Sequence, residues 1–301
     1  MNAPSTALKP LTSLLIGSVC ISFAPVFIRL ADVSPDSAGF YRMLFAALSV
    51  ALVVGVRKES LRMSRRTLYF LIGCGIFLSV DFMCWHRSIH LIGPGFSTIL
   101  GNFQVFFTAL FSYLLFREKP TRMFLLAVAS SLLGLLLITG VDLDALGAGY
   151  RLGVLLGLAT AVCYSGYLLL MKQAMGRQEI SGATAVLIYA MVCTIFLGLV
   201  TPLTGGSFVI PDTRSLLALL GAGVICTTIG WSFISSALKQ TPATVAGLFL
   251  LLQPALAFVW DVLFFSRPTT ASEATGVLLI LGAIYLGSYR RSRGQAKSMV
   301  A

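Results

Sequence analysis

Three residues inside an apolar stretch could bind a polar solute or take part in a buried ion pair. Asp81, Trp85 and Ser88 are spaced i, i+4 and i+7, which places them on one face of a helix. A charged side chain within a membrane is costly, so it usually faces a hydrated pathway or an opposite charge. Arg42 lies inside the preceding apolar stretch at a similar distance from its end. The sequence therefore predicts an Arg42–Asp81 ion pair, with direct solute contact or proton binding by Asp81 as the alternative.

Other polar side chains near this stretch are candidates for contact with a solute. His86 follows Trp85, and an imidazole can change its charge near physiological pH. Thr98 and Asn102 share a helical face at i and i+4. Gln253 precedes a proline, and this break in the helix could expose hydrogen-bonding backbone to a solute. The alternative for such residues is a hydrogen bond that joins two helices.

Two further stretches carry aromatic and hydroxyl side chains at helical spacing. They are Thr160, Tyr164, Tyr167 and Met171 in the first, and Thr228, Trp231, Ser232 and Ser235 in the second. A tyrosine O–H or a tryptophan N–H needs a partner in the interior of a bilayer, and a hydrated cavity would supply one. We therefore predict that Tyr164, Tyr167, Trp231, Ser232 and Ser235 contact a solute. Such a wall suits apolar and aromatic solute side chains.

The composition indicates an all-α polytopic membrane protein. Hydrophobic residues make up 57% of the chain and charged residues 11%, whereas a soluble domain carries about 25% charged residues. Segments of alternating polarity, which a membrane barrel requires, do not occur. The net charge of +11 does not indicate nucleic-acid binding, because the basic residues lie between the apolar stretches. The six cysteines form no CxxC pair, so no metal site, disulfide framework or cofactor is predicted.

The apolar stretches are long enough to cross a bilayer of about 30 Å. Ten spans are predicted, at residues 12–30, 37–56, 67–89, 94–116, 122–140, 152–172, 182–203, 215–238, 242–264 and 272–289. Most Lys and Arg residues lie in the loops on the side of the N-terminus. Because cytoplasmic loops collect these residues, both termini are predicted to be cytoplasmic and the protein to lie in the cell's inner membrane.

The chain is an internal duplication. Gly73–Gln104 and Gly221–Gln253 both begin with Gly-x-Gly and end an apolar run on Gln, at an offset of 148 to 149 residues. We predict two repeats, residues 1–148 and 149–301, with five spans each. An odd number of spans inserts the second repeat upside down relative to the first. Inverted repeats are typical of secondary transporters, whose solute site lies near the midplane between the halves.

Two sequence phrases resemble a known family. FYRMLFAAL (Phe40 to Leu48) and FREKPTRMFLLAVASSLLGLLLI (Phe116 to Ile138) are similar to the EamA-type branch of the drug/metabolite transporter superfamily. Length and layout most resemble its bacterial amino-acid exporters of the YddG type. The resemblance implies export through a central cavity walled by spans 1, 3, 4, 6, 8 and 9. The chain departs from the family at Ser266-Arg267-Pro268, where relatives often carry an acidic residue.

The sequence allows three functions to be considered for this protein. The leading hypothesis is a secondary transporter that exports neutral or aromatic amino acids and related small metabolites by alternating access, as a monomer or homodimer in membrane lipid. The alternative is a proton-coupled exporter of cationic drugs, which would need a buried carboxylate such as Asp81. An intramembrane hydrolase could combine Asp81 with Asp261 or His86. The motifs GxGD, HExxH and GxSxG are absent, so the sequence disfavours an enzyme.

Overall fold

The computed structural model describes residues 10–92, 97, 100–117, 121–139, 149–265 and 270–283. Within these ranges the chain is helical and contains no strand, as the composition predicts. Each helix carries the number of the predicted span to which it corresponds. Their bounds are Pro10–Ser22 and Ala24–Leu30 (α1), Pro35–Val56 (α2), Arg65–Ile92 (α3), Gln104–Phe116 (α4), Arg122–Thr139 (α5), Tyr150–Gly176 (α6), Gly182–Leu203 (α7), Thr213–Gly221, Ala222–Trp231 and Ser232–Leu238 (α8), Ala243–Leu250 and Leu252–Phe265 (α9), and Ala271–Ala283 (α10).

Seven of these helices, α1, α2, α3, α6, α7, α8 and α9, are long and apolar enough to cross a membrane. The described parts of α4, α5 and α10 form shorter apolar helices. The chain is therefore a multi-pass membrane protein, while the count of ten spans stays a prediction.

Three helices are irregular. α1 is interrupted at Phe23, and Pro25 lies in the first turn of the second segment. α9 is interrupted at Leu251, two residues before Gln253. The middle of α8 is a π-helical segment, in which each backbone N–H bonds the carbonyl five residues earlier. Wide turns of this kind are frequent at functional sites.

The two halves pack through contacts that correspond to one another across the duplication. A Cβ atom at Gly75 in α3 would lie 2.5 Å from the Cβ atom of Val192 in α7. A Cβ atom at Gly223 in α8 would lie 2.7 Å from the Cβ atom of Phe45 in α2. Likewise, α3 packs along α6 and α8 packs along α1. Exchanging the halves therefore exchanges equivalent contacts, as a two-fold axis requires.

At one end of the molecule, acidic side chains from loops cap helices of the opposite half. Glu179, between α6 and α7, accepts hydrogen bonds from Ser64 N at 2.7 Å and Thr67 Oγ1 at 2.8 Å, at the start of α3. Glu59, after α2, accepts a hydrogen bond from the hydroxyl of Ser181, the N-cap of α7. The amide of Ser64, with Thr67 and Arg177, lowers the pKa of Glu179 to about 2.

At the opposite end, the connections are made mainly by hydroxyl groups and backbone. Ser37 Oγ, in the first turn of α2, donates to Ser207 O, beyond the end of α7, at 2.7 Å. Asp32 N donates to Ser215 Oγ at 3.0 Å, which joins the loop after α1 to the start of α8. The start of α2 thus meets the end of α7, and the end of α2 meets the start of α7. These equivalent helices are antiparallel.

Candidate functional site

The predicted Asp81 and Trp85 lie where helices of both halves meet. Thr160 Oγ1 in α6 donates to Asp81 O in α3 at 3.4 Å. The backbone at Gly101, just before α4, packs against both α3 and α6. A Cβ atom at Gly101 would lie 3.4 Å from Thr160 Cγ2 and 3.9 Å from Trp85 Cδ1. Trp85 is half-buried and Asp81 is buried. Trp85 is therefore partly accessible, whereas Asp81 is enclosed by the protein.

The predicted Arg42–Asp81 ion pair is not formed in this conformation. Arg42 Nε donates to Thr227 Oγ1 in the π-helical segment at 2.9 Å, and its guanidinium carbon lies 5.7 Å from the ring centroid of Phe82. No nitrogen of Arg42 lies within 4.0 Å of an Asp81 carboxylate oxygen, since the ion pairs among the described residues do not include this one. The hydroxyl and the aromatic face hold the guanidinium instead. Asp81 Oδ1 is left buried without a hydrogen-bond partner among the described residues.

Tyr164 and Gln253 complete the group around Asp81. Tyr164 lies one helical turn beyond Thr160, the residue that donates to Asp81 O, and it is close to the Gln253 side chain. Gln253 Nε2 is itself buried without a hydrogen-bond partner in the part of the chain that the structure describes. The three side chains come from α3, α6 and α9, and both Tyr164 and Gln253 are half-buried. The structure thus brings together a carboxylate, a phenol and an amide that the sequence places far apart. Their contact with a solute stays a prediction.

Tyr167 and Trp231 form a packed aromatic layer behind Tyr164. Tyr167 is fully buried and Trp231 is 3% exposed, and their rings are perpendicular at a centroid distance of 4.9 Å. The ring centroid of Tyr164 lies 5.9 Å from that of Tyr167 and 6.1 Å from that of Trp231. Tyr189 extends the layer at 5.5 Å from Tyr167. In this conformation Tyr167 and Trp231 support Tyr164 and are not open to solvent.

The remaining candidates occupy different environments. Ser235 is fully buried, and Ser232 is half-buried beside it in α8. Asn102 is half-buried where the chain enters α4. His86 lies at the outer end of the group, with Nδ1 3.5 Å from Asp36 Oδ1, which is ion-pair range but not hydrogen-bond geometry. Thr98 lies outside the described residues.

Comparison with known proteins identifies the family. The model of the EamA-like transporter family matches residues 8–140 and, a second time, residues 151–289. This chain belongs to the EamA-like transporter family. The resemblance inferred from the sequence is confirmed, and the double match agrees with the duplication. The family is one of membrane transporters and not of enzymes. The repeat boundary between residues 148 and 149 stays a prediction.

The relatives of this EamA-like transporter carry transport functions in their names. The pseudopaline exporter CntI of Pseudomonas aeruginosa is 24% identical over 254 residues, covering 84% of this chain and 86% of the relative. An uncharacterized transporter of Clostridium kluyveri is 24% identical over 259 residues, covering 82% of this chain and 81% of the relative. A known crystal structure superimposes with a TM-score of 0.79 at 18% identity, covering 94% of this chain and 98% of the other. That last likeness shows the fold alone.

Two residues of this EamA-like transporter were missed by sequence reasoning. Thr227 binds Arg42, but a regular helical period assigned the functional face of α8 to Thr228 and Trp231. The π-helical segment changes which side chains share a face, and no residue pattern announced it. Phe82 contacts both Arg42 and His86, whose ring is parallel to it at 6.3 Å. Its position next to Asp81 was the available signal. No cluster of three metal-ligating residues occurs within the described ranges.

Proposed function

We propose that this protein is a secondary transporter that exports neutral or aromatic amino acids and related small metabolites across the inner membrane by alternating access. The observation that carries the proposal is the pair of buried polar atoms without partners among the described residues, Asp81 Oδ1 and Gln253 Nε2, beside the half-buried Tyr164. Buried polar atoms without partners are costly, above all within a membrane. A polar solute that enters this group would supply the missing partners.

The proposed topology has ten spans, two inverted repeats and cytoplasmic termini. The antiparallel pairing of α2 with α7 supports the inversion. Labelling of the Asp32–Ser34 and Gly205–Ser207 turns with an impermeant reagent in intact cells tests it. Both turns should react from outside, and protection of either one would contradict the topology.

The direction and the solute class are supported by the relatives. The Pseudomonas relative is named an exporter of pseudopaline. The aromatic layer behind Tyr164 suits solutes with an apolar or aromatic side chain. Hydrogen bonds join the two halves at both ends of the molecule, each between a helix of one half and a loop of the other. In the proposed cycle, these two sets of hydrogen bonds would open in turn. Alternating access requires that one set opens while the other stays closed.

Flux in proteoliposomes tests the function. The purified protein is reconstituted with a panel of radiolabelled amino acids, and we expect saturable transport of neutral members. Tyr164→Ala should reduce flux severalfold without preventing insertion, and Trp231→Ala should do the same through the loss of support. The matched control is Tyr69→Ala, because Tyr69 is 67% exposed on the outside of α3. Wild-type rates in both site variants would contradict the site.

A proton-coupled exporter of cations is the second candidate. The observation that favours it is the Asp81 carboxylate, which Arg42 does not neutralise by direct contact. Such a carboxylate could bind a proton and a cation alternately. Collapse of the proton gradient distinguishes the two functions. Loss of uphill export of cationic drugs would favour the second candidate, and unchanged amino-acid flux would favour the first.

A further inference from the structure

We propose that Arg42 and Asp81 bind the two charged ends of a zwitterionic solute, with the guanidinium on its carboxylate and the carboxylate on its ammonium group. The inference rests on the proposed transport function and adds which groups recognise the solute. It follows from the way in which the two side chains are held apart.

Asp81 presents an acceptor that the protein leaves unused. The residue is 6% exposed, and its Oδ1 atom has no hydrogen-bond partner among the described residues. Its backbone carbonyl, by contrast, accepts a hydrogen bond from Thr160 Oγ1. A carboxylate with a purely structural role would be paired, because an unpaired buried charge is costly. An ammonium group is the natural complement to this oxygen.

Arg42 presents hydrogen-bond donors that the described residues leave unused. Its Nε atom is fixed on Thr227 Oγ1 at 2.9 Å, and its plane lies over Phe82. The two terminal nitrogens make no hydrogen bond to any residue that the structure describes, and the side chain is half-buried. Two parallel N–H groups match the two oxygens of a carboxylate. Thr227 and Phe82 therefore orient a guanidinium fork that is ready for such a group.

The two charges are separate but lie near each other. They stand more than 4.0 Å apart, and the guanidinium lies 5.7 Å from the ring centroid of Phe82, the residue that follows Asp81. Tyr164 lies one turn along α6 from Thr160, which contacts Asp81, so the aromatic layer lies near the carboxylate. In an α-amino acid a single carbon separates the ammonium from the carboxylate. A solute of this class can neutralise both charges at once, whereas a simple cation or anion leaves one of them unpaired.

The second half contains no equivalent pair. At the repeat offset of 148 residues, Arg42 corresponds to Ala190 and Asp81 to Ile229. The duplication therefore supplies one charged site, and the solute has one orientation in it. Its carboxylate lies toward α2 and α8, its ammonium group toward α3, and its side chain toward Tyr164.

The test compares three solutes in proteoliposomes. They are the neutral amino acid that the panel shows to be moved fastest, its N-acetyl derivative, which lacks the ammonium group, and its amide, which lacks the carboxylate. We expect the wild type to prefer the amino acid to either derivative by about tenfold or more, because each derivative leaves a buried charge unpaired. Asp81→Asn should narrow the preference over the N-acetyl derivative. Arg42→Gln should narrow the preference over the amide.

Ratios of fluxes make the test independent of how much protein is active. The matched control is Asp32→Asn, which removes an equal charge from an exposed loop residue and should keep the wild-type ratios. A second measurement needs no variant. Modification of Asp81 by an apolar carbodiimide, followed by mass spectrometry, should be slowed by the amino acid and its amide but not by the N-acetyl derivative.

The outcomes separate this inference from the proposed function. If the wild type moves no amino acid, the transport function itself fails. If it moves the amino acid and both derivatives equally, or if both site variants keep the wild-type ratios, transport stands and recognition by Arg42 and Asp81 is overturned. Equal protection of Asp81 by all three solutes would overturn it as well.

Discussion

The two halves of the molecule share a scaffold but differ in their chemistry. Gly75 and Gly223 occupy equivalent positions, 148 residues apart, and a Cβ atom at either position would lie less than 3 Å from an atom of the other half. The charged residues Arg42 and Asp81 have only Ala190 and Ile229 as equivalents. The duplication has therefore kept the residues that set helix contacts, while this pair of charges occurs in the first half only.

The glutamines that end the two repeat segments show the same division. Gln104 is 3% exposed, its Nε2 atom donates to Gly247 O at 3.3 Å and its Oε1 atom accepts from Thr108 Oγ1 at 3.3 Å. Gln253 is half-buried, and its Nε2 atom has no partner among the described residues. One member of the pair joins helices and the other faces the candidate site. A residue type kept at equivalent positions thus serves two purposes.

The largest effect is expected at the paired glycines. Gly75→Val and Gly223→Val should each lower the melting temperature strongly and reduce the yield of folded protein, because backbone atoms lie about 3.0 Å from either Cβ position. Overpacking of this kind costs about 1–3 kcal/mol or more. Thermal unfolding in detergent, followed by size-exclusion chromatography, measures the loss.

Similar losses at the two glycines would support a symmetric scaffold. The matched control is Gly55→Val, since no atom lies within 4 Å of a Cβ atom at that position. A variant at Gly75 that folds normally while Gly223→Val does not would show that only one half depends on close packing.

The acidic connection made by Glu179 should give the next largest effect. Its folded pKa, about 2, lies below its ordinary value of 4.5, because hydrogen bonds from Ser64 and Thr67 favour the charged form. A depressed pKa contributes stability above the ordinary value, and this contribution is lost as the pH falls. Glu179→Gln should therefore lower the melting temperature at pH 7, and its difference from wild type should shrink from about pH 4.5 toward about pH 2.

The control for this prediction lies at the other end of the molecule. Asp32 contributes its backbone N–H, and not its carboxylate, to the contact with Ser215. Asp32→Asn should therefore leave the melting temperature nearly unchanged over the same pH range. A constant difference between Glu179→Gln and wild type down to pH 2 would contradict the role of the charge.

The glutamine pair should separate stability from transport. Gln104→Leu removes one hydrogen bond between helices, to Gly247 O, which is worth about 0.6–2 kcal/mol, and one within α4, so it should lower the melting temperature. Gln253→Leu removes a side chain whose Nε2 atom has no partner among the described residues, so it should keep the melting temperature while reducing amino-acid flux severalfold. Each variant is the control for the other. Equal loss of stability in both would mean that Gln253 also joins helices.

The sequence predicted the architecture well because its causes are local or repeated. Apolar length predicted the helices, and the repeated Gly-x-Gly indicated the duplication, in which Gly75 and Gly223 make equivalent close contacts. Each of these signals depends on residue type alone. The family model matches each half of the chain once, which agrees with the duplication.

The sequence was less informative about the site because side-chain direction depends on neighbouring helices. Counting residues placed Arg42 and Asp81 at similar depths, but it could not show that Thr227 would hold the guanidinium. Helical spacing placed Tyr164 and Tyr167 near the same face of α6. It could not show that Tyr167 would be buried against Trp231 while Tyr164 stayed accessible.

The smallest effect is expected at Trp260, which makes a hydrogen bond that the equivalent residue of the first half cannot make. At the offset of 149 residues its equivalent is Phe111, so Trp260→Phe makes the second half resemble the first. The change removes the bond from Trp260 Nε1 to Ser22 Oγ at 2.7 Å, beside the break in α1. The phenyl ring can still stack on Phe23, whose ring centroid lies 4.5 Å from that of Trp260 in the wild type.

The hydrogen bond that Trp260→Phe removes is worth about 0.5–1.5 kcal/mol, the smaller ring adds a loss of packing, and flux should be unchanged. Ser22→Ala removes the same bond from the other side and should lower the melting temperature by a similar amount. The double variant should be no worse than the worse single variant, since the two changes remove one interaction. Additive losses would show that Trp260 and Ser22 stabilise the bend in α1 independently, and that the difference between the halves here is one of packing.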